Sequence, residues 1–319
     1  MNLVDMHCDT AWKLFEGRRG ETLEENECSV NLKQLKRAGS LAQFFACFVD
    51  VGRFPSEQYA KGYERVKELM HRMKREVECF EDKIAFAGNY AELMEHKNAG
   101  KISAILTVEE GGVTEGKLSR VTEFYDEGIR LITLLWNYEN CIGYPNSRNA
   151  TLMQKGLKPF GFELVEKMNE LGMLIDVSHM SDGGFWDVIK QSKTPVVASH
   201  SNARALCSHP RNLTDEMLRA LAEKGGVAGV NFYPAFIRED MSAKAEDIVC
   251  HIRHMVNVGG SDAVAIGTDF DGFSGGELEI ENIGEIELLY DALRKNGFSG
   301  SQIEKIWSGN ALRIIREIL

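Results

Sequence analysis

Short apolar runs that end in polar residues recur along the whole chain. Each run is rich in β-branched or large apolar residues, which favours a strand buried on both faces over a half-exposed strand of alternating polarity. Eight runs fit this description, and they end at or near Asp9, Asp50, Glu110, Asn137, His179, His200, Tyr233 and Asp269.

Charge-rich segments with helical periodicity separate most of these runs, for example 159–171 and 243–258. Such alternation predicts a parallel sheet, because parallel strands need long crossovers that are usually helical. Eight strand and helix units predict one domain over residues 1–319, a closed (β/α)₈ barrel of the TIM type, with a doubly wound open sheet as the alternative. Barrel active sites lie at the carboxyl ends of the strands.

The amino-acid composition narrows the range of possible functions. Of the 319 residues, 44% are hydrophobic and 27% charged, which is enough apolar material for a large core. The net charge of −11 and the lack of a dense Lys/Arg cluster argue against a nucleic-acid partner. The first run begins at Leu3 and no apolar run reaches membrane-spanning length, so we expect a cytoplasmic chain without a signal or membrane anchor. Seven scattered cysteines without a C-x-x-C pair indicate reduced thiols.

Three of the eight histidines, His7, His179 and His200, stand at predicted carboxyl ends of strands. Because alternate side chains of a strand share a face, His7 and Asp9 point the same way and can chelate one ion. Taken alone this pair is a weak signal, since a hydrogen-bonded polar residue at a strand end gives the same pattern. The signal strengthens because four further histidine and carboxylate side chains, each at the end of another predicted strand, are expected to reach the same rim of the barrel.

Together these residues predict a binuclear metal site. Six donors exceed what one tetrahedral zinc ion needs, and if Glu110 bridges two ions, a water between them becomes a nucleophile near neutral pH. Nitrogen and oxygen ligands favour zinc, with manganese or cobalt as alternatives. The predicted ligands are His7, Asp9, Glu110, His179, His200 and Asp269.

Arg211, in "SHPRNL", follows the sixth run. Its guanidinium can direct two N–H groups at a substrate carboxylate, although a solvated surface arginine is the alternative interpretation.

These stretches resemble the renal or membrane dipeptidases, binuclear zinc peptidases with an amidohydrolase-like barrel. The similarity runs nearly end to end, through "VDMHCDTAW", "EEGG", "GLKPFGFELVEKMNELGMLIDVSH", "VVASHSNARALCSHPRNL", "IGTDFDG" and "GNALRII". The resemblance implies that the chain hydrolyses the peptide bond of dipeptides, including ones with a C-terminal D-residue, through a hydroxide held between two zinc ions.

The resemblance also implies individual roles. His7 and Asp9 would hold one zinc ion, His179 and His200 the other, and Glu110 would bridge both ions and serve catalysis. Asp269 would lie beside the first ion as the catalytic acid and base, Arg211 would bind the C-terminal carboxylate of the substrate, and Tyr233 would line the pocket.

The chain departs from the family after the fourth run. Mammalian members carry a histidine there that binds substrate, whereas this chain reads "TLLWNYEN". Trp136 takes that place, and its indole N–H can donate one hydrogen bond but carries no titrating charge. Trp136 and the neighbouring Asn137 are therefore expected to contact substrate and to alter its selection.

Two other functions stay open. A related amidohydrolase could act on another small amide, a lactone or a β-lactam, and a metal-dependent binding protein could have lost turnover. The outer helices could also support a homodimer, although no sequence feature specifies one.

Overall fold

The structure is a computed structural model, and it describes residues 2–17, 20–53 and 58–319. Eight parallel strands form a closed ring, since each strand pairs with the next along the chain and the last pairs with the first. They are β1 (Leu3–Cys8), β2 (Ser40–Phe48), β3 (Ile102–Glu109), β4 (Ile129–Thr133), β5 (Leu174–Asp176), β6 (Val197–Ala198), β7 (Val227–Val230) and β8 (Val264–Ile266). The chain is thus a single eight-stranded (β/α) barrel, as the sequence predicts.

Three further short strands of the described residues lie outside this ring. Ile84–Phe86 pairs with the first residues of β3, and Ser242–Ala243 pairs with Glu277–Leu278.

Helices follow or flank the strands. Many begin with a side-chain cap, such as Ser181, whose Oγ accepts the N–H of Gly184, or Thr214, whose side chain accepts the N–H of Met217. The α-helices span Thr10–Glu16, Leu32–Ala38, Gln58–Cys79, Tyr90–Asn98, Leu118–Asp126, Ala150–Met153, Pro159–Leu171, Asp182–Gln191, Asp215–Glu223, Pro234–Ile237, Ala245–Gly259, Glu287–Lys295, Gly300–Glu304 and Asn310–Ile318. Within the described ranges, none has the length and apolarity that a membrane crossing requires.

The buried apolar side chains of the strands lie in two apolar clusters. The larger includes Leu106 and Val108 of β3 and joins the strands to the surrounding helices. The smaller takes side chains such as Ile105 from all eight strands and packs them against Ile314 and Ile315 of the last helix. Successive residues of β3 thus alternate between the two clusters, and the polar mouth of the barrel lies beyond the carboxyl ends of the strands.

Candidate metal centre

Six buried side chains converge at the carboxyl ends of five strands. Each is less than one tenth exposed, and together they comprise three imidazoles and three carboxylates. His7 Nε2 lies 3.2 Å from Asp9 Oδ2, 3.3 Å from Glu109 Oε2 and 3.8 Å from Asp269 Oδ1. The six residues, called the cluster below, are His7, Asp9, Glu109, His179, His200 and Asp269.

Glu109 stands at the middle of the cluster. Its Oε2 faces His7, while its Oε1 lies 3.1 Å from His179 Nε2 and 3.7 Å from His200 Nε2. The two oxygens of one carboxylate therefore face two different groups of donors, which is the arrangement that a bridging ligand requires.

Glu110, which the sequence analysis placed in this position, lies elsewhere. Its carboxylate is fully buried and accepts the backbone N–H groups of Gly112 and Trp136 and the side-chain amide of Asn140. The reason is strand parity: β3 ends at Glu109, so the next side chain points away from the mouth and caps the turn that spans Gly111–Thr114. The expectation that Glu110 joins the cluster was wrong, and Glu109 takes its place.

The cluster fits a divalent metal ion. His179 Nε2 and His200 Nε2 lie only 3.1 Å apart, too close for both nitrogens to carry a proton. Two triads, His7 with Glu109 and His200, and His7 with Asp9 and Asp269, each offer ligand atoms within 4.8 Å of one another. Among the described atoms His7 Nδ1 and Asp9 Oδ1 have no hydrogen-bond partner, although buried polar atoms rarely lack one.

The charges of the cluster lead to the same conclusion. Burial alone lowers the pKa of His7, but the carboxylates of Glu109 and Asp9 outweigh it and raise this pKa well above its ordinary value. Burial raises the pKa of Asp269 to about 8, and the neighbouring carboxylates act in the same direction. Burial and the Arg211 guanidinium lower the pKa of His179 to about 4. The carboxylates therefore favour a positive charge at His7 while His179 stays neutral, and the nitrogen and oxygen atoms of the cluster are the donor set of zinc and related ions.

Two members of the cluster have a left-handed backbone. His179 has φ 69° and Asp269 has φ 62°, and Asp271 in the same loop as Asp269 has φ 70°. Non-glycine residues rarely adopt this conformation, which costs roughly 1–3 kcal/mol and is concentrated at functional sites. The fold therefore stabilises an unfavourable backbone conformation at His179 and Asp269, and this conformation directs both side chains into the cluster.

Gly272 leaves room for two carboxylates. A Cβ at this position would lie 2.2 Å from Asp9 Oδ2 and 2.4 Å from Asp269 Oδ1. We expect Gly272→Ala to displace both carboxylates and to lower metal affinity, and the kcat/KM of a metal-dependent reaction, by about 10- to 100-fold, the range seen when metal ligands lose their support. Gly300→Ala is the control, because nothing lies within 4 Å of its Cβ. Wild-type metal content and kcat/KM in Gly272→Ala would contradict this packing.

A cavity of about 220 Å³ opens onto the cluster. Asp9, Glu109, His179 and Asp269 form its polar side. Its other walls are largely aromatic, with Tyr233 and Phe273 stacked at 5.0 Å between ring centroids. The aromatic residues that line it are Phe48, Trp136, Tyr233, Phe236 and Phe273.

The predicted substrate-binding residues lie at or beside this cavity. Trp136, Asn137 and Tyr233 line it, and Trp136 packs edge-on against Phe48 with the ring centroids 4.9 Å apart. The Oδ1 of Asn137 lies 3.1 Å from His179 Nδ1, so this residue also contacts the cluster itself.

Arg211 is buried beside the cluster rather than solvated at the surface. Its Nη2 donates to the carbonyl of His200 at 3.1 Å, its Nη1 to Ser201 Oγ at 3.3 Å, and its guanidinium lies 5.3 Å from the ring centroid of Phe236. Among the described atoms its Nε has no acceptor. A buried cation with a free N–H beside the cavity is suited to a carboxylate ligand.

Sequence reasoning did not identify Asn231. Its Nδ2 donates to Asp269 Oδ2 at 2.8 Å and contacts the carbonyl of His200 at 3.3 Å. Its place directly after β7, at the same rim as the cluster, was the available signal. It fixes one oxygen of Asp269 and leaves the other turned toward His7.

The whole chain is similar in sequence to one known protein family. Residues 1–319 match the family described as Membrane dipeptidase (Peptidase family M19). A protein of Schizosaccharomyces pombe that bears the name of an uncharacterized dipeptidase is 32% identical over 305 residues, which cover 89% of this chain and 71% of that one. A Klebsiella pneumoniae protein named for the pqqA 5' region is 37% identical over 227 residues, 68% of this chain and 82% of that one.

The fold matches solved structures. A metallo peptidase from Rhodobacter sphaeroides, liganded with a phosphinate mimic of the dipeptide L-Ala-D-Ala, superposes with a TM-score of 0.88 at 23% identity, over 100% of this chain and 99% of that one.

Proposed function

The chain belongs to the membrane dipeptidase family M19 and is a metallopeptidase of that family, and from this premise we propose that it hydrolyses small dipeptides with the help of two zinc ions. The observation that carries the proposal is the convergence of three histidines and three carboxylates around Glu109 at the floor of a small cavity.

The cluster divides into two sets of ligands. His7 and Asp9 would hold one ion and His179 and His200 the other, with Glu109 common to both. When bound, the two ions would supply a water of lowered pKa and a Lewis acid for the scissile carbonyl. Manganese or cobalt would suit the same donors.

Asp269 is the residue best placed to move a proton. Asn231 holds its Oδ2, while its Oδ1 faces the cluster and the residue lines the cavity. In the proposed reaction Asp269 takes a proton from the attacking water and passes it to the leaving amine, which is general acid and base catalysis by a positioned carboxylate.

Arg211 would select the peptide bond that lies next to a free C-terminal carboxylate. Its guanidinium lies against His200 and Phe236, so a carboxylate bound there sits a short distance from the cluster. Every peptide has one peptide bond that lies one residue from its C-terminal carboxylate, so Arg211 would direct that bond to the cluster, and the small cavity of about 220 Å³ would exclude longer peptides.

The cavity favours small substrates. Its volume of about 220 Å³ and its aromatic walls suit compact dipeptides with apolar side chains. The Rhodobacter sphaeroides structure carries a mimic of L-Ala-D-Ala, and this supports the proposal that a D-residue is accepted on the C-terminal side.

Two measurements test the proposal. Elemental analysis of reconstituted protein should find about two zinc ions per chain, because four of the donors form two pairs on either side of the Glu109 carboxylate. L-L and L-D dipeptides should be hydrolysed, and tripeptides, N-acyl amino acids and β-lactams should not. Absence of bound metal would refute the binuclear centre, and preference for N-acyl amino acids or β-lactams would favour the related amidohydrolase function instead.

A further inference from the structure

His200 is held from behind by a hydroxyl and a buried carboxylate. Its Nδ1 lies 2.7 Å from Ser199 Oγ, and this Oγ donates to Asp176 Oδ2 at 2.6 Å. Ser199 and Asp176 are both fully buried. Asp176 also accepts the hydroxyl of Thr133 at 2.7 Å, so the carboxylate is itself fixed in place.

The protons of this chain of hydrogen bonds can be assigned. The Asp176 carboxylate accepts the hydroxyls of Thr133 and Ser199 and the backbone N–H groups of Ser178 and Ser199, so the single hydroxyl proton of Ser199 goes to Asp176. Ser199 Oγ must then accept the Nδ1–H of His200. This leaves the Nε2 of His200 without a proton and turned toward Glu109, which is the form of imidazole that binds a metal ion.

Asn137 fixes the position of the ring proton of His179 in the same way. Its Oδ1 faces His179 Nδ1 at 3.1 Å, and an amide oxygen only accepts. The Nδ1 of His179 therefore carries the proton, and its Nε2 without a proton lies 3.1 Å from both the Nε2 of His200 and the Oε1 of Glu109. Both imidazoles present bare nitrogens to one point before any ion arrives.

The third histidine of the cluster lacks such support. Among the described atoms, the buried His7 Nδ1 has no hydrogen-bond partner. The two halves of the cluster are therefore unequal, because acceptors behind the rings hold Nδ1 of His179 and His200, whereas His7 is held only by the carboxylates at its Nε2.

We propose that Ser199, supported by Asp176, and Asn137 are positioning residues that preorganise His200 and His179, so that the ion held by these two histidines binds before the ion at His7 and more tightly. The inference rests on the proposed metal centre and adds an order of loading to it. It also gives Asn137 a role toward the cluster besides its place in the cavity wall.

Zinc titration of the metal-free full chain against a chromophoric chelator tests the proposal. The wild type should bind zinc in two steps of different affinity. Ser199→Ala should weaken the tighter step by about 10- to 100-fold, the usual effect of removing a partner of a metal-bound histidine. The matched control is Ser178→Ala, since Ser178 is buried like Ser199, accepts the backbone N–H of His200 at 3.2 Å and lies 3.4 Å from Ser199 Oγ, but makes no hydrogen bond to the ring of His200.

Asn137 offers a second pair of variants. Asn137→Leu removes the acceptor at similar volume and should weaken the tighter step by about 10-fold or more. Asn137→Asp keeps an oxygen acceptor against His179 and should retain tight binding. Melting temperatures of the metal-free variants separate a loss of fold from a loss of metal affinity.

The outcomes distinguish this inference from the proposed function. If the wild type binds no zinc, the metal centre itself is refuted. If it binds two ions with equal affinity, or if Ser199→Ala and Ser178→Ala behave alike, the metal centre stands and the positioning roles are refuted. Weakening confined to Ser199→Ala and Asn137→Leu supports them.

Discussion

A Glu109→Gln variant is expected to lose the metal centre and dipeptide hydrolysis, whereas Glu110→Gln keeps both. Glu109 places its two oxygens toward different histidines, so an amide there removes the charge shared by both halves of the cluster. Activity should fall by more than ~10²-fold, because substitution of residues that only support metal ligands already lowers activity by about 10- to 100-fold. Zinc content and kcat/KM measure the effect.

Glu110→Gln should change stability instead. The Glu110 carboxylate accepts three N–H donors, and a glutamine would turn its own NH₂ group toward one of them. Leaving a buried donor unsatisfied costs about 1–3 kcal/mol, so the melting temperature should fall while zinc is retained. The reverse pattern, with metal lost from Glu110→Gln and kept by Glu109→Gln, would restore the assignment made from sequence.

Arg211→Met is expected to lower kcat/KM for a dipeptide by ~10²-fold or more, since removing one partner of a buried charge pair costs about 2–5 kcal/mol. The same variant should leave the slow hydrolysis of the corresponding dipeptide amide unchanged, because that substrate has no carboxylate to bind. Comparing the two substrates separates carboxylate binding from a general disturbance of the site, which would slow both.

Arg204→Met is the matched control for this prediction. Arg204 lies in the same loop, but both of its terminal nitrogens bind Asp182 at 2.8 Å. Its removal should lower stability and preserve the discrimination between dipeptide and amide. Equal discrimination in wild type and Arg211→Met would show that the substrate carboxylate binds elsewhere.

The barrel could be predicted because its strands are buried on both faces. Every residue of β1 and of β3 is buried, so both strands stand out in the sequence as continuous apolar runs that end in polar residues. Because the barrel brings all the strand ends to one rim, the same reasoning collected His7, Asp9, His179, His200 and Asp269.

The choice between Glu109 and Glu110 needed the parity of β3. Ile105 packs in the smaller apolar cluster inside the barrel, whereas Leu106 and Val108 pack in the larger one against the helices. Glu109 has the same parity as Ile105, so its side chain faces the mouth of the barrel. The sequence carried this signal, since the polar residues Ser103, Thr107 and Glu109 share one parity. The conspicuous Gly-Gly pair after Glu110 pointed to the wrong member of the pair.

The supporting contacts could not be predicted from the sequence. Ser199 reaches Asp176, and Asn231 reaches Asp269, only because neighbouring strands in the barrel bring together residues far apart in the chain. Hydrogen bonds of this kind depend on tertiary packing at ångström precision, which hydrophobic periodicity does not encode.

The buried carboxylate of Glu110 has a consequence for how substrate selection can change. It holds the main-chain N–H of Trp136, whereas the indole itself contacts other aromatic rings. Glu110, which follows Glu109 in sequence, therefore anchors the backbone of the cavity wall independently of the side chain at position 136. A different side chain at position 136 would therefore alter the surface that a substrate meets and leave the main-chain frame beneath it intact.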